Sequence, residues 1–150
     1  MQQKVSEQQI VQMAQQQESI LNSQKNFQRN IISILKDNIR TIESLEELAK
    51  SPEKMYMNLG SGVLIEVEAK NNESCKRAFA ENGYLEEKIT QTIKWLEKRK
   101  VNSENQIKKI EQDIANSEKK LNELIGVLKQ IDTQKRKQQE LSISKKWIVD

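Results

Sequence analysis

Apolar residues in the first fifty positions recur at alternating intervals of three and four. Ile10, Met13, Gln17, Ile20, Gln24, Phe27, Ile31, Ile34, Asn38, Thr41, Leu45 and Leu48 form one such row, and eight of the twelve are apolar. The last third carries a second row: Ile93, Leu96, Lys100, Ser103, Ile107, Ile110, Ile114, Ser117, Leu121, Leu124, Leu128 and Ile131, nine of the twelve apolar. Two rows sustained over more than five heptads predict coiled-coil helices. No Gly or Pro interrupts the chain from Gln3 to Lys50, and Ser51-Pro52 then supplies a stop, because the residue before proline is pushed out of the α region. Helices over about 3–50 and about 88–145 would be roughly 70 and 80 Å long at 1.5 Å per residue. Such similar lengths suit two antiparallel arms of one hairpin. The alternative is that each helix pairs with another chain.

The middle third favours the hairpin, because between residues 55 and 87 the period changes. Val63, Ile65 and Val67 alternate with Leu64, Glu66 and Glu68, the period of a half-buried strand. Met55-Tyr56-Met57-Asn58-Leu59 precedes them across Gly60-Ser61-Gly62, and glycines permit the positive φ angles of tight hairpin turns. A second pair of runs, Ser74–Ala80 and Tyr84–Glu86, flanks Glu81-Asn82-Gly83, in which Asn82-Gly83 is a type I′ turn signal. A helical start from Tyr84 onward is the competing reading of that segment. Isolated hairpins are marginal in water, so their apolar faces, with Tyr56, Leu59, Val63, Ile65, Val67, Phe79, Tyr84 and Leu85, are expected to be buried against neighbouring subunits. The fold class expected is mainly α with small β: a long antiparallel coiled-coil hairpin with two β-hairpins at its connecting end, forming a single domain over 1–150.

Composition supports this and removes chemistry. Only 35% of the 150 residues are hydrophobic and 31% are charged, with a mean hydropathy of −0.81, so a thick core is excluded while long solvated helices are well served. The chain has no histidine, the commonest general base and metal ligand, and its single Cys75 cannot form an internal disulfide. Glu46-Glu47 and Glu86-Glu87 are adjacent rather than convergent, and Leu59-Gly60-Ser61-Gly62 lacks the Gly-Lys-Ser/Thr of a phosphate loop. An enzyme, a metal site and a cofactor are therefore not expected. No apolar run approaches the roughly 20 residues of a membrane span, and Met1-Gln2-Gln3-Lys4 does not resemble a signal peptide. A cytoplasmic setting follows as the default. Lys135-Arg136-Lys137 and Lys145-Lys146 are locally basic, but net charge is only +3 and a solvated helix face is the favoured reading over nucleic acid or membrane binding.

The order helix, two glycine-centred hairpins, helix resembles the alpha class of prefoldin subunits. Met55-Tyr56-Met57-Asn58-Leu59-Gly60-Ser61-Gly62-Val63-Leu64-Ile65-Glu66-Val67 resembles that family's first hairpin, and Asn82-Gly83-Tyr84-Leu85-Glu86-Glu87-Lys88 with the helix behind it resembles the second. Beta-class subunits have one hairpin. Lys76, Arg77, Glu81 and Glu86 depart from the pattern, since they stand where the family is typically more apolar. The resemblance implies a hetero-hexamer with beta-class subunits that captures unfolded proteins without ATP and delivers them to a group II chaperonin. A scaffolding complex of related architecture and a structural coiled coil without chaperone activity are the alternatives.

If the hairpins form a body, the chain ends lie together at the far tip. There Val5, Ile10, Val11 and Met13 on one side and Leu141, Ile143, Trp147, Ile148 and Val149 on the other offer apolar groups to non-native chains, with several arms multiplying weak contacts. Ile10 and Met13 also fit the heptad row and are weighed there as seam residues, and Trp147-Ile148-Val149 equally suits a frayed end. Polar seam residues, Gln17, Gln24, Asn38, Lys100, Ser103 and Ser117, weaken the coil while restricting its register.

Overall fold

The computed structural model describes residues 6–50 and 54–148, except the side chain of Ile148. Its elements run α1 (Glu7–Ala49), β1 (Met55–Gly60), β2 (Val63–Val67), β3 (Ser74–Ala80), β4 (Gly83–Lys88) and α2 (Ile89–Ile148). Two long helices with two antiparallel hairpins between them are the fold class that the hydrophobic pattern predicts. The proposed stop at Ser51-Pro52 lies outside the described residues, and α1 ends just before it, at Ala49. The chain forms two compact units, residues 1–29 with 108–150 and residues 30–107.

α1 begins with a reciprocal cap. The Gln9 backbone N–H donates to Ser6 Oγ at 3.2 Å, and the Ser6 N–H donates to Gln9 Oε1 at 3.0 Å. This Ser-x-x-Gln box satisfies two of the N–H groups a helix start leaves unpaired.

In the first unit α1 and α2 run antiparallel. Glu7 pairs with Lys135, and further along α1 Lys25 reaches Glu118, which is nearer the start of α2, at 3.6 Å. Between them Leu21, Ile110 and Ile114 form the buried cluster, with Leu121 packed against it. Both ion pairs are exposed and each contributes at most about 1 kcal/mol; the apolar cluster therefore dominates. Because Glu7 sits beside Lys135, α2 overruns the start of α1 by thirteen residues, about 20 Å. The arms are less equal than their patterns suggest.

Burial confirms the α2 row in full: all twelve positions from Ile93 to Ile131 are buried or half-buried. On α1 only Leu48 and alternate members of the predicted row are inside. Ile10, Gln17, Gln24, Ile31, Asn38 and Leu45 turn inward, but the positions between them are Ala14, Leu21, Gln28, Leu35 and Ile42. Met13, Ile20, Phe27 and Ile34, expected in the seam, are exposed, and so is Thr41. The two rows share every second member and differ by one residue, about 100° of helix rotation, at the rest. Ala14, Leu21, Leu35 and Ile42 make the true row nearly as apolar as the false one, so counting does not separate them.

The first hairpin turns at Ser61-Gly62. Ser61 has φ 52° and Gly62 φ 77°, the two positive values of a type I′ turn, and Gly60 adds φ 96° beside a register shift at Asn58/Gly60. Asn58 Oδ1 accepts from the Gly60 N–H at 2.8 Å and holds that irregularity. In the second hairpin the predicted Asn82-Gly83 turn is displaced by one residue: Ala80 pairs with Gly83, leaving Glu81-Asn82 at the tip, and none of these has positive φ. The cause is the register shift between Ala78 and Ala80, which leaves Phe79 unpaired with its ring over Gly83. A Cβ at residue 83 would sit 2.8 Å from the Phe79 ring. Glycine is needed there for close approach, not for a left-handed backbone.

The corrected register has a direct test. Leu21→Ala, inside the cluster, is expected to lower unfolding free energy by about 2–5 kcal/mol. Ile20→Ala, its neighbour on the exposed side, should cost about 1 kcal/mol or less. Urea denaturation followed by circular dichroism checks the difference; equal losses would restore the row containing Ile20.

Candidate functional site

Two apolar surfaces carry the residues singled out in the sequence. The first is on the hairpins. Met55 faces Val67 and Met57 faces Ile65 across β1 and β2, and Val63 shares the Ile65 and Val67 face by strand alternation. Tyr56, Met57, Leu59, Val63, Leu64 and Ile65 are exposed, while Val67 is half-buried. Among the described residues each sheet has two strands, so every strand also has an open edge. On β3 and β4, Phe79, Tyr84 and Leu85 are exposed. Assembly residues proposed from sequence thus lie on two separate hairpins, all but Val67 open to solvent.

The second hairpin is anchored through the face that also carries Leu85. β4 runs into α2 with no intervening residue, and the Ile89 N–H donates to the Glu73 carbonyl at 2.9 Å. Cys75, Arg77, Leu85 and Glu87 share one face in the β3–β4 register, and three of them reach a common network. Arg77 Nε donates to Glu87 Oε1 at 2.6 Å, Thr92 Oγ1 donates to the same oxygen at 2.8 Å, and Cys75 Sγ lies 3.1 Å from Thr92 Oγ1. Thr92 has one hydroxyl hydrogen and gives it to Glu87, so the thiol is the donor in the last contact. The Arg77 guanidinium also lies 4.2 Å from the centre of the Trp95 ring, with Arg99 at 4.7 Å from the same ring. Cation–π contacts of this kind contribute about 0.5–2 kcal/mol. The Arg77 hydrogen bond, followed by that of Thr92, holds the Glu87 carboxyl below its ordinary value of 4.5. Arg77, which departs from the apolar pattern, is therefore the residue that fastens the second hairpin to α2. Sequence reading missed this because Glu87 and Arg77 meet only through a strand register that a charge pattern does not disclose. Cys75, at the end of this network, is half-buried.

The second surface lies near the chain ends. Leu141, Ile143 and Trp147 stand on the part of α2 that runs past Glu7, and Trp147 is 81% exposed. Ile143 and Trp147, four residues apart, share a helix face. Val11 and Met13 are exposed on α1, whereas Ile10 is turned into the seam at 8% exposure. Val5 and Val149 lie outside the described residues, as does the side chain of Ile148. Among the described residues, no helix is long and apolar enough to cross a membrane.

A hairpin pair with open edges, joined to antiparallel helices, defines a class of assembling coiled-coil subunit. The family model for prefoldin subunits matches residues 7–134, nearly the whole of that architecture, and the chain belongs to the prefoldin family. A solved structure of similar fold is a cryo-EM structure of filamentous PFD from Methanocaldococcus jannaschii. It aligns with a TM-score of 0.59 at 15% identity, over 79% of this chain and 98% of the other. No curated protein matches the sequence. Membership places the chain among chaperone-like subunits that assemble with other prefoldin subunits, in a family that is not enzymatic.

The anchor has a pH signature. Because Glu87 has a depressed folded pKa, its contribution is fully present above the ordinary carboxylate pKa and is lost as pH falls through the lowered folded value. In a Trp147→Phe background, Trp95 emission should stay constant from neutral pH through the usual carboxylate range and shift only below it. Adding Glu87→Gln should displace the signal at neutral pH and abolish that acid step; an unchanged step would remove Glu87 from the anchor.

Proposed function

We propose that the chain is an alpha-class subunit, acting as one prefoldin-like domain, of a hexameric holdase in the cytoplasm. Two copies join four beta-class subunits, capture unfolded proteins without ATP, and pass them to a group II chaperonin. The observation that carries this reading is the presence of two hairpins, not one, whose apolar residues and strand edges are exposed in the single chain. A lone two-stranded hairpin is marginal, so burial of Tyr56, Leu59, Val63, Ile65, Val67, Phe79, Tyr84 and Leu85 against sister strands is the stabilising event of assembly. Client contact falls to the arm ends. Val5, Val11 and Met13 with Leu141, Ile143, Trp147, Ile148 and Val149 supply weak apolar contacts that several arms multiply, and Ile10 supports them from the seam. Nothing in this scheme uses a cofactor, a metal or a nucleic acid.

Light scattering after size-exclusion chromatography, on the chain alone and mixed with a beta-class prefoldin subunit, tests it. The expected product is a hexamer with two copies of this chain that suppresses aggregation of a denatured protein without ATP. Ile65→Asp, placing a charge on the exposed strand face, should abolish the hexamer while leaving the helical circular dichroism intact. A dimer indifferent to the partner, or an open filament of this chain alone, would overturn the hexamer.

A further inference from the structure

In the first unit α1 has two flanks beside its seam, and charge is confined to one of them. At about 100° per residue, Glu7, Glu18, Lys25 and Arg29, the charged residues of α1 as far as Arg29, all fall about 80° to one side of the buried row. Met13, Ile20 and Phe27 fall about as far round on the other side, and are 48%, 49% and 51% exposed. Their neighbours on that flank are Gln9, Gln16 and Ser23, so it carries no charge. We propose that the uncharged flank is a self-association surface, on which α1 of a second copy of this chain packs antiparallel with Ile20 on the two-fold axis. The surface is separate from the hairpin strands, and the inference goes beyond the assembly reading without depending on it.

Three observations select a second copy. The first is charge. The charged flank is already served by α2, since Glu7 pairs with Lys135 and Lys25 with Glu118. In a chain that is 31% charged, a helix flank left to solvent is normally charged as well. Absence of charge matters most for pairing with itself, because an identical helix sets every charged residue against its own sign near the axis. The second is spacing. Met13, Ile20 and Phe27 are seven residues apart, the interval at which one coiled-coil helix repeats its contact with another, and the row is symmetric about Ile20. An antiparallel copy sets Met13 against Phe27 and Ile20 against Ile20, so one row serves both partners, as an isologous contact requires. Met13 then meets an aromatic ring, a favourable contact for its thioether that a parallel copy forfeits.

The third is the polar part of the flank. The same symmetry brings Gln16 beside Ser23 of the copy, where amide and hydroxyl pair without an ion. A helix docked about 80° round from the buried row lies beside α2 rather than in its place, so the Leu21, Ile110 and Ile114 cluster is undisturbed. Three half-exposed apolar side chains per helix cover far less than the about 800 Å² per partner of a standard interface, so the pair forms at high concentration and parts on dilution.

Sedimentation equilibrium tests this on the full-length chain carrying Ile65→Asp, which charges the exposed strand face and closes the hairpin route to association. The mass is expected to rise from one chain at about 3 µM to two at about 300 µM, equally at about 50 and about 500 mM salt. Ile20 meets its own copy, so Ile20→Gln counts twice and should weaken the pair by about tenfold or more with helical circular dichroism unchanged. Val101→Gln, at an exposed apolar site on α2, should leave the pair as it was. Spin labels on Gln8→Cys, with Cys75→Ser, should lie about 35–40 Å apart in the antiparallel pair, because residue 8 is twelve residues from the axis. A monomer at every concentration, a mass unmoved by Ile20→Gln, a pair that salt dissolves, or labels within about 20 Å overturns the proposal. So does a monomer whose Ile20→Gln variant loses aggregation suppression or entry into a complex with a beta-class subunit, since the row then belongs to clients or to sister subunits. With Ile65 restored, the two readings separate. Pairing through Ile20 without a hexamer removes the hexamer alone, and a hexamer from a chain that never pairs through Ile20 removes the pairing alone.

Discussion

The structure depends on a seam between two helices that is one side chain deep. With a third of its residues hydrophobic, the chain cannot bury a wide core, and in the first unit Leu21, Ile110, Ile114 and Leu121 carry the central packing. Ser117 is buried at the same seam, and Gln24 Oε1 is buried with no hydrogen-bond partner among the described residues. In the second unit Asn38 and Ser103 are likewise buried, and Asn38 Nδ2 is unpartnered among those residues. Such groups weaken a coiled coil while penalising shifted registers. A seam this narrow leaves large apolar side chains outside it, and those side chains are what the protein has available for contact with others.

The hairpins show the same economy. One face of the second hairpin is held by a compact polar network in which Arg77 serves Glu87 and Trp95 together, and its other residues remain open. Anchoring one face fixes where the remaining strand surface points relative to the start of α2, which is the requirement for a surface that meets a partner in one orientation. The first hairpin is shaped locally by three successive positive φ angles and the Asn58 side chain, and its strands offer apolar residues and open edges. Both arrangements are stable uses of polar and turn chemistry that leave apolar surface for assembly.

Much of this was legible in the sequence, for physical reasons that differ by element. The α2 row was readable in full because Lys100, Ser103 and Ser117 interrupt an otherwise single apolar stripe that has no competitor one residue away. On α1, Met13, Ile20, Phe27 and Ile34 form a competing stripe beside Ala14, Leu21, Leu35 and Ile42. Spacing alone does not say which one faces the partner helix, because that depends on α2. The Gly60-Ser61-Gly62 turn follows from glycine's freedom at positive φ, whereas the role of Gly83 depends on the Phe79 ring, a contact set by a register shift. The Ser6–Gln9 cap is legible as Ser-x-x-Gln. The exposed apolar residues of the hairpins could be picked out by alternation along each strand, but the Arg77 anchor required the strand pairing itself.

The central claim is that the hairpins bury their strands on assembly while the helices keep the seam they already have. Amide hydrogen exchange, compared between the chain alone and the chain mixed with a beta-class prefoldin subunit, tests it most directly. The account predicts strong new protection over residues 55–60, 63–67 and 83–88 with exchange along the seam of α1 and α2 unchanged. Protection appearing along the helices, with hairpin amides exchanging as fast as before, would contradict it.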